Sequence, residues 1–353
     1  MPSPSEFFAA ARARFDEAAA KAPDGHVDFR LAGHRVRLRF AGTAMRPLVE
    51  PVFRHLPRFP PDTLDLTIDL WDARTTGVRL PPRPWGETDV GARGLVLRYC
   101  DQRFATRLDA QSATVSMIDG GSGHAFECVP DTRRLPHWER AHPLSTVLGH
   151  WFRGQGLTMV HAAAIGRPAG GALIAGRGGS GKSTCVLACI AAGLRTAGDD
   201  YLLVDGDGTA HSLFGSATLQ AGHRRRFPQL MPQAEAPTLD DETEKHVTLL
   251  AVDRPAAMIA ALPLVAIVVP RIVGSGPCRL HPISPASALR ALAPSTLLQL
   301  GQAPDVTLAR LAALCRRLPC HGLDLGPEPA EIPATIGTIL DRGAGQAAGG
   351  AVG

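Results

Sequence analysis

Lysine is almost missing from this chain. Three of its 353 residues are lysine, and the rest of its 37 basic residues are arginine. Aromatic residues make up only 5%, so the stacking platforms that single-stranded nucleic acid needs are lacking. The arginines are dispersed and the net charge is a modest +4, which excludes a dedicated nucleic-acid binder. The seven cysteines are odd in number and lack C-x-x-C spacing, which points to reduced thiols in a cytoplasmic protein rather than a disulfide framework. Cys185 and Cys189 lie one helical turn apart, a spacing open to metal ligation but better read as core packing. No apolar run is long enough to span a bilayer, and no signal-peptide pattern follows Met1, so no membrane partner and a cytoplasmic location are expected. Glycine is plentiful, and an apolar content of 45% provides for one large domain or two smaller ones.

Against that scarcity, one lysine stands in Gly176-Arg177-Gly178-Gly179-Ser180-Gly181-Lys182-Ser183-Thr184. The frame G-x-x-x-x-G-K-S is that of a phosphate-binding loop. Its glycines let successive backbone N–H groups turn toward one anion, and the helix that follows offers its positive end to the same anion. The Lys182 ammonium reaches the β- and γ-phosphates, and the Ser183 hydroxyl is placed for Mg²⁺. Ala172–Gly176 reads as a buried strand and Lys182–Ala192 as a helix, the context this motif requires. The cofactors expected are therefore ATP and Mg²⁺.

Residues 4–22 show helical periodicity, with Phe7, Phe8 and Phe15 as buried anchors. Alternating runs at 27–31 and 36–40 read as a hairpin, and further alternation at 64–71, 94–100, 103–109, 112–118 and 124–129 predicts an antiparallel β-rich module over 1–141. Leu144–Phe152 reads as a connecting helix. A second domain, 142–342, opens with a strand over 158–166, and a hairpin through Arg-Pro-Ala-Gly-Gly feeds the loop directly. A strand begins at or near Asp199-Asp200, Val265–Val269 is another, and 287–292, 306–318 and 332–342 are helical. The polar stretch from Arg224 to Val252 suits a mobile loop near the site. The Gly/Ala-rich tail 343–353 is expected to be disordered.

Phosphoryl transfer needs charge neutralisation, a metal, and a group that orients or deprotonates the nucleophile. Asp199 and Asp200 are the candidates for the last two. One can hold Mg²⁺ while the other accepts a proton, and Ser183 and Asp200 are the metal-facing candidates, with the division between the two carboxylates open. His161, on the strand before the hairpin, can face the phosphates or the carboxylates. Lys245 and the basic cluster His223-Arg224-Arg225-Arg226 are candidates for contact with substrate or for a lid, Arg224, Arg225 and Arg226 foremost in the cluster.

The Val160-His161 strand, the hairpin, the G-R-G-G-S-G-K-S-T loop and Gly198-Asp199-Asp200-Tyr201 together resemble the HPr kinase/phosphorylase family, in its shorter HPr kinase-related branch. Pro270-Arg271, the segments Leu280–Leu289 and Leu292–Leu297, and Leu318–Leu325 are similar to that branch as well. The resemblance spans roughly 142–342. It implies a mixed-sheet P-loop domain of the HPr kinase/PEP carboxykinase type and ATP-dependent phosphorylation of a serine on a peptide or small protein. It also implies catalytic roles for His161, Lys182, Asp199 and Asp200, and a homo-oligomer as a candidate assembly. The family's I-E-[IV]-R-G-x-G signature is not found; Phe214–Gln220 stands in its place. Some members of the branch look like kinases for ribosomally made peptides, lasso peptides among them, which makes such a peptide the implied partner. A small-molecule kinase and a non-catalytic nucleotide-binding regulator are the alternatives.

Overall fold

The computed structural model describes residues 1–59, 63–230, 246–300 and 303–349. It divides into two compact units, Met1–Gly156 and Leu157–Gly353. The sequence places the boundary at 141/142; the structure places it after Gly156. The Ser145–Gly154 helix, expected as a connector, buries Val147, Leu148, Trp151 and Phe152, and His34 of the first unit sits edge-on against Trp151.

The first unit opens with the helix Pro4–Lys21, whose start is fixed by reciprocal Ser3 and Glu6 bonds. Phe7, Phe8 and Phe15 are buried among Trp71, Tyr99, Phe104 and Phe126, each contributing roughly 1.5–3 kcal/mol. Strands β1 (Pro23–Leu31), β2 (His34–Ala41), β3 (Leu66–Asp72), β4 (Phe104–Leu108), β5 (Val115–Asp119) and β6 (His124–Val129) form one sheet in the order β1-β2-β3-β6-β5-β4. The hairpins β1–β2, β4–β5 and β5–β6 are antiparallel, but β2–β3 and β3–β6 are parallel, so the sheet is mixed rather than antiparallel. Alternation reports burial and says nothing of direction. The long connection between β2 and β3 contains the short helices Arg46–Val49 and Glu50–Phe53, and it returns the chain to run the same way. The run at 94–100 forms isolated bridges and the turn Leu97–Tyr99 instead of a strand.

A buried polar cluster lies within this unit. Arg107 bonds Glu139 and Asp109, and Glu127 lies close by. Burial, followed by the neighbouring Glu139 charge, pushes the Glu127 carboxyl up to about 8.

The second unit contains β7 (Thr158–His161), β8 (Ala163–Arg167), β9 (Gly170–Ile174), β10 (Arg195–Gly198), β11 (Tyr201–Val204), β12 (Thr209–Ser212), β13 (Ala217–Leu219), β14 (His246–Thr248), β15 (Ala261–Ile272), β16 (Arg279–Pro282) and β17 (Cys320–Leu325). Its main sheet runs β10-β8-β9-β15-β12-β11-β7, with β17 beside β15 and β16 beside β17. β9, β15 and β17 are parallel; the remaining pairs are antiparallel, which gives the expected mixed sheet. The expected single strand 158–166 is broken at Ala162, and its halves pair at opposite ends of the sheet order. One core buries Ile174, Cys185, Val186, Cys189, Val268 and Leu325; Cys185 and Cys189 are packing residues within it. The helix Glu331–Gly349 continues through 343–349, where the tail was expected to be disordered: the Gly/Ala run extends a helix already nucleated and docked through Ile332, Ile336 and Leu340.

Candidate active site

The hairpin β8–β9 delivers the chain into the phosphate loop, as the sequence predicts. Ile174 is paired in parallel with Val268 on β15, and the Ala175 N–H donates to the Val268 carbonyl at 2.9 Å, so the loop leaves the carboxyl end of a central strand. Gly176 is buried, while Arg177, Gly178 and Gly179 form an exposed crest. Gly181 caps the Lys182–Ala191 helix at φ +103°, and a Cβ there would lie 2.4 Å from Leu325 Cδ1; both facts require glycine. The Lys182 Nζ turns back over the loop and donates to the Gly176 carbonyl at 2.8 Å. Burial pulls its pKa below the usual lysine range, against the opposing pull of Asp200 and Asp199.

The segments 158–167 and 195–204 run antiparallel to one another with a break in the middle. Gly198 pairs with Ala164 and Tyr201 with His161, and no ladder pair stands between them. Asp199 and Asp200 fill this gap. A register shift between Thr196 and Gly198 sets it up: the Thr196 hydroxyl donates to the Ala164 carbonyl at 2.9 Å and accepts the Gly198 N–H at 3.0 Å. The strand therefore begins just after the aspartates, and both carboxylates are freed from the sheet.

Asp199 is 1% exposed. The Ser183 hydroxyl stands close enough to favour its carboxylate but outside hydrogen-bonding geometry, so neither oxygen has a bonded partner. Burial first, and the Asp200 charge second, raise the Asp199 carboxyl to about 7. Asp200 faces His161, with 3.7 Å between Oδ1 and Nε2. The His161 ring lies 5.2 Å from that of Tyr201, and its Nδ1 is buried without a partner.

Unpaired buried polar atoms are costly and rare in native proteins. Among the described residues of this unit they are His161 Nδ1, Ser180 Oγ, both oxygens of Asp199 and Arg254 Nε. All but the last belong to the phosphate loop or to the strand break. Polar groups left unsatisfied at one place, beside a loop shaped for an anion, fit a ligand that brings both anionic oxygens and a cation. Among the described residues no group of three or more His, Cys, Asp or Glu side chains is arranged for a metal. A phosphate-bound Mg²⁺ requires only one or two protein ligands, and the unpaired Asp199 carboxylate beside Ser183 meets that need.

The other candidates are placed less closely. Arg225 and Arg226 are exposed on the short helix Ala221–Arg226, which also carries the backbone of Arg224. Lys245 lies outside the described residues. That helix does touch the loop through His223, which the sequence singled out only as part of a basic cluster. His223 Nδ1 accepts the Gln220 N–H at 3.4 Å, so the ring proton is on Nε2, which donates to the Thr184 hydroxyl at 3.2 Å. Thr196 carries no motif, and the motif and cluster that hold Tyr201 and His223 do not indicate these contacts. Only the strand break and the helix start reveal them.

No protein-family model matches the chain, and no curated protein matches it. Among solved structures, the Hpr(Ser) kinase/phosphatase from Coxiella burnetii is similar at 12% identity and a TM-score of 0.29, over 54% of this chain and 99% of that chain. That likeness is too slight to carry fold or activity across. Among the described residues no helix is long and apolar enough to cross a membrane.

Proposed function

We propose that the unit Leu157–Gly353 is an ATP-dependent phosphotransferase that moves the γ-phosphoryl group to a serine hydroxyl of a peptide or small protein. The carrying observation is where the unpaired buried groups of this unit lie: Ser180 Oγ in the G-x-x-x-x-G-K-S loop, and Asp199 and His161 Nδ1 at the strand break whose aspartates act on Lys182. A binding module that only held nucleotide has no use for two adjacent carboxylates beside a polyanion, whereas transfer to a hydroxyl requires a proton acceptor and a metal ligand.

In this reading the loop N–H groups and Lys182 hold the phosphate chain. Lys182 exchanges its bonds to the Gly176 and Arg177 carbonyls for phosphate oxygens. Ser183 and Asp199 would hold Mg²⁺, which would supply neutralising charge for the phosphates. The sequence offers Asp200 as the metal-facing candidate and leaves the division between the carboxylates open; the burial of Asp199 beside Ser183 favours Asp199 for the metal, with Asp200 and His161 serving the acceptor. The acceptor oxygen bonds to the γ-phosphorus as the bond to the β-bridging oxygen breaks. Its proton passes to Asp200, which His161 steadies, and ADP departs. Arg225 and Arg226 are proposed to meet an acidic or phosphorylated substrate.

The test is transfer from γ-labelled ATP to a panel of acceptors: peptides ending in serine, the same peptides ending in alanine, and free sugars and amino acids. Label on the serine peptides alone supports the proposal. Label on small acceptors alone replaces it with a small-molecule kinase, and tight ATP binding without transfer to any acceptor points to a regulator.

A further inference from the structure

We propose that Thr296 is a positioning residue for His161; this rests on the phosphotransfer reading of the site. The Leu292–Leu297 stretch lies in the Pro285–Leu300 helix, which packs on β7. Threonine hydroxyls inside helices commonly turn back to their own backbone. The Thr296 hydroxyl reaches out of its helix and accepts the His161 backbone N–H at 3.1 Å, and the residue is fully buried.

The partner makes this contact informative. His161 is the last residue of β7; Ala162 belongs to no strand, and from Ala163 onward the chain pairs with β9 and β10. His161 is the last residue of β7 paired with β11, β7 lies at the end of the sheet order, and the His161 N–H is directed away from the ladder. A buried N–H needs an acceptor, and the Thr296 hydroxyl supplies one from the helix. The end of β7 is thereby tied to the helix at its last paired residue, and the Cα–Cβ direction that sets the imidazole 3.7 Å from Asp200 is held with it. Pro294, two residues earlier in the same helix, removes an N–H from the helical ladder at this point. Thr296 acts through its hydrogen bond to the His161 N–H.

Three variants test the proposal. Thr296→Val keeps the shape and removes the acceptor, while Thr296→Ser keeps the acceptor. Ser295→Ala alters the adjacent position, whose hydroxyl bonds within the helix to the Leu292 carbonyl at 3.4 Å. The readouts are the imidazole ¹H–¹⁵N spectrum of His161 across pH and the hydrolysis of Mg²⁺-ATP with water as acceptor. Thr296→Val is expected to move the His161 ring resonances and to lower turnover about ten-fold or more, with KM for ATP little changed, because small misplacements cost much in rate and little in binding. Thr296→Ser and Ser295→Ala are expected to match the wild type. A wild-type His161 spectrum in folded Thr296→Val overturns the proposal. So does a displaced spectrum in Thr296→Ser, which decides the matter if the valine variant does not fold. Absence of transfer from Mg²⁺-ATP to every acceptor, water and serine peptides alike, contradicts the phosphotransfer reading alone, since the His161 spectra still decide the role of Thr296.

Discussion

Asp199 and Asp200 are chain neighbours in opposite surroundings: Asp199 is sealed from solvent with both oxygens unpaired, whereas the Asp200 side chain is 21% exposed and faces His161 across 3.7 Å. The break in the β8–β10 and β7–β11 ladders sends the two side chains to different places, and burial then gives them different chemistry.

The first consequence concerns pH. The Asp199 carboxyl rises from an ordinary 3.8 to about 7 in the folded protein. A raised acid favours the fold fully below its unfolded value, and that contribution is lost as pH climbs through the folded value. Asp199→Asn should therefore melt higher than the wild type at pH 8 and no higher at pH 4. The gap is at most a few kcal/mol, since each tenfold change in proton affinity is worth ~1.4 kcal/mol. Saturating Mg²⁺-ATP should narrow it by stabilising the wild-type carboxylate. Differential scanning calorimetry at the two pH values checks the sign.

Lys182→Ala should abolish the rise in melting temperature that ATP gives the wild type. It should also lower turnover by about 10²–10³-fold, the loss usual for one preorganised group facing developing charge. Calorimetry with and without ATP, together with ADP release, measures both.

Two glycines of the loop should behave differently. Gly181→Ala meets both a left-handed backbone and Leu325 at 2.4 Å, and should cost ~1–3 kcal/mol with loss of nucleotide binding. Gly178→Ala meets nothing within 4 Å and should fold like the wild type. Denaturant unfolding of the two variants gives the comparison.

In the first unit, Glu127 holds its proton up to about pH 8 beside Glu139 and Arg107. Its raised value favours the fold below an ordinary 4.5, and that contribution is lost as pH passes about 8. Glu127→Gln should melt like the wild type near pH 4.5 and above it at pH 9. Thermal melts across that range test the effect.

Much of the second unit was legible because its signals are local. The loop, its feeding hairpin and the following helix are contiguous in sequence, and the lysine bias made Lys182 conspicuous. His161 and the aspartates were singled out as candidates by their place on the strands before and after that loop. What stayed hidden was relational. Strand direction in the first unit depends on how a long connection returns, which alternation does not record. The break at Ala162 divides an unremarkable apolar strand, and only the pairing partners of its two halves reveal it. Thr196, His223 and Thr296 matter through hydrogen bonds made with residues distant in sequence.

The most direct measurement of the central claim is the rate of γ-phosphoryl transfer to a serine peptide by wild type, Asp199→Asn and His161→Ala at saturating Mg²⁺-ATP. Transfer by the wild type, with both variants slowed at least about a hundred-fold while still folded, is the predicted result. Transfer at the wild-type rate by folded Asp199→Asn would contradict it.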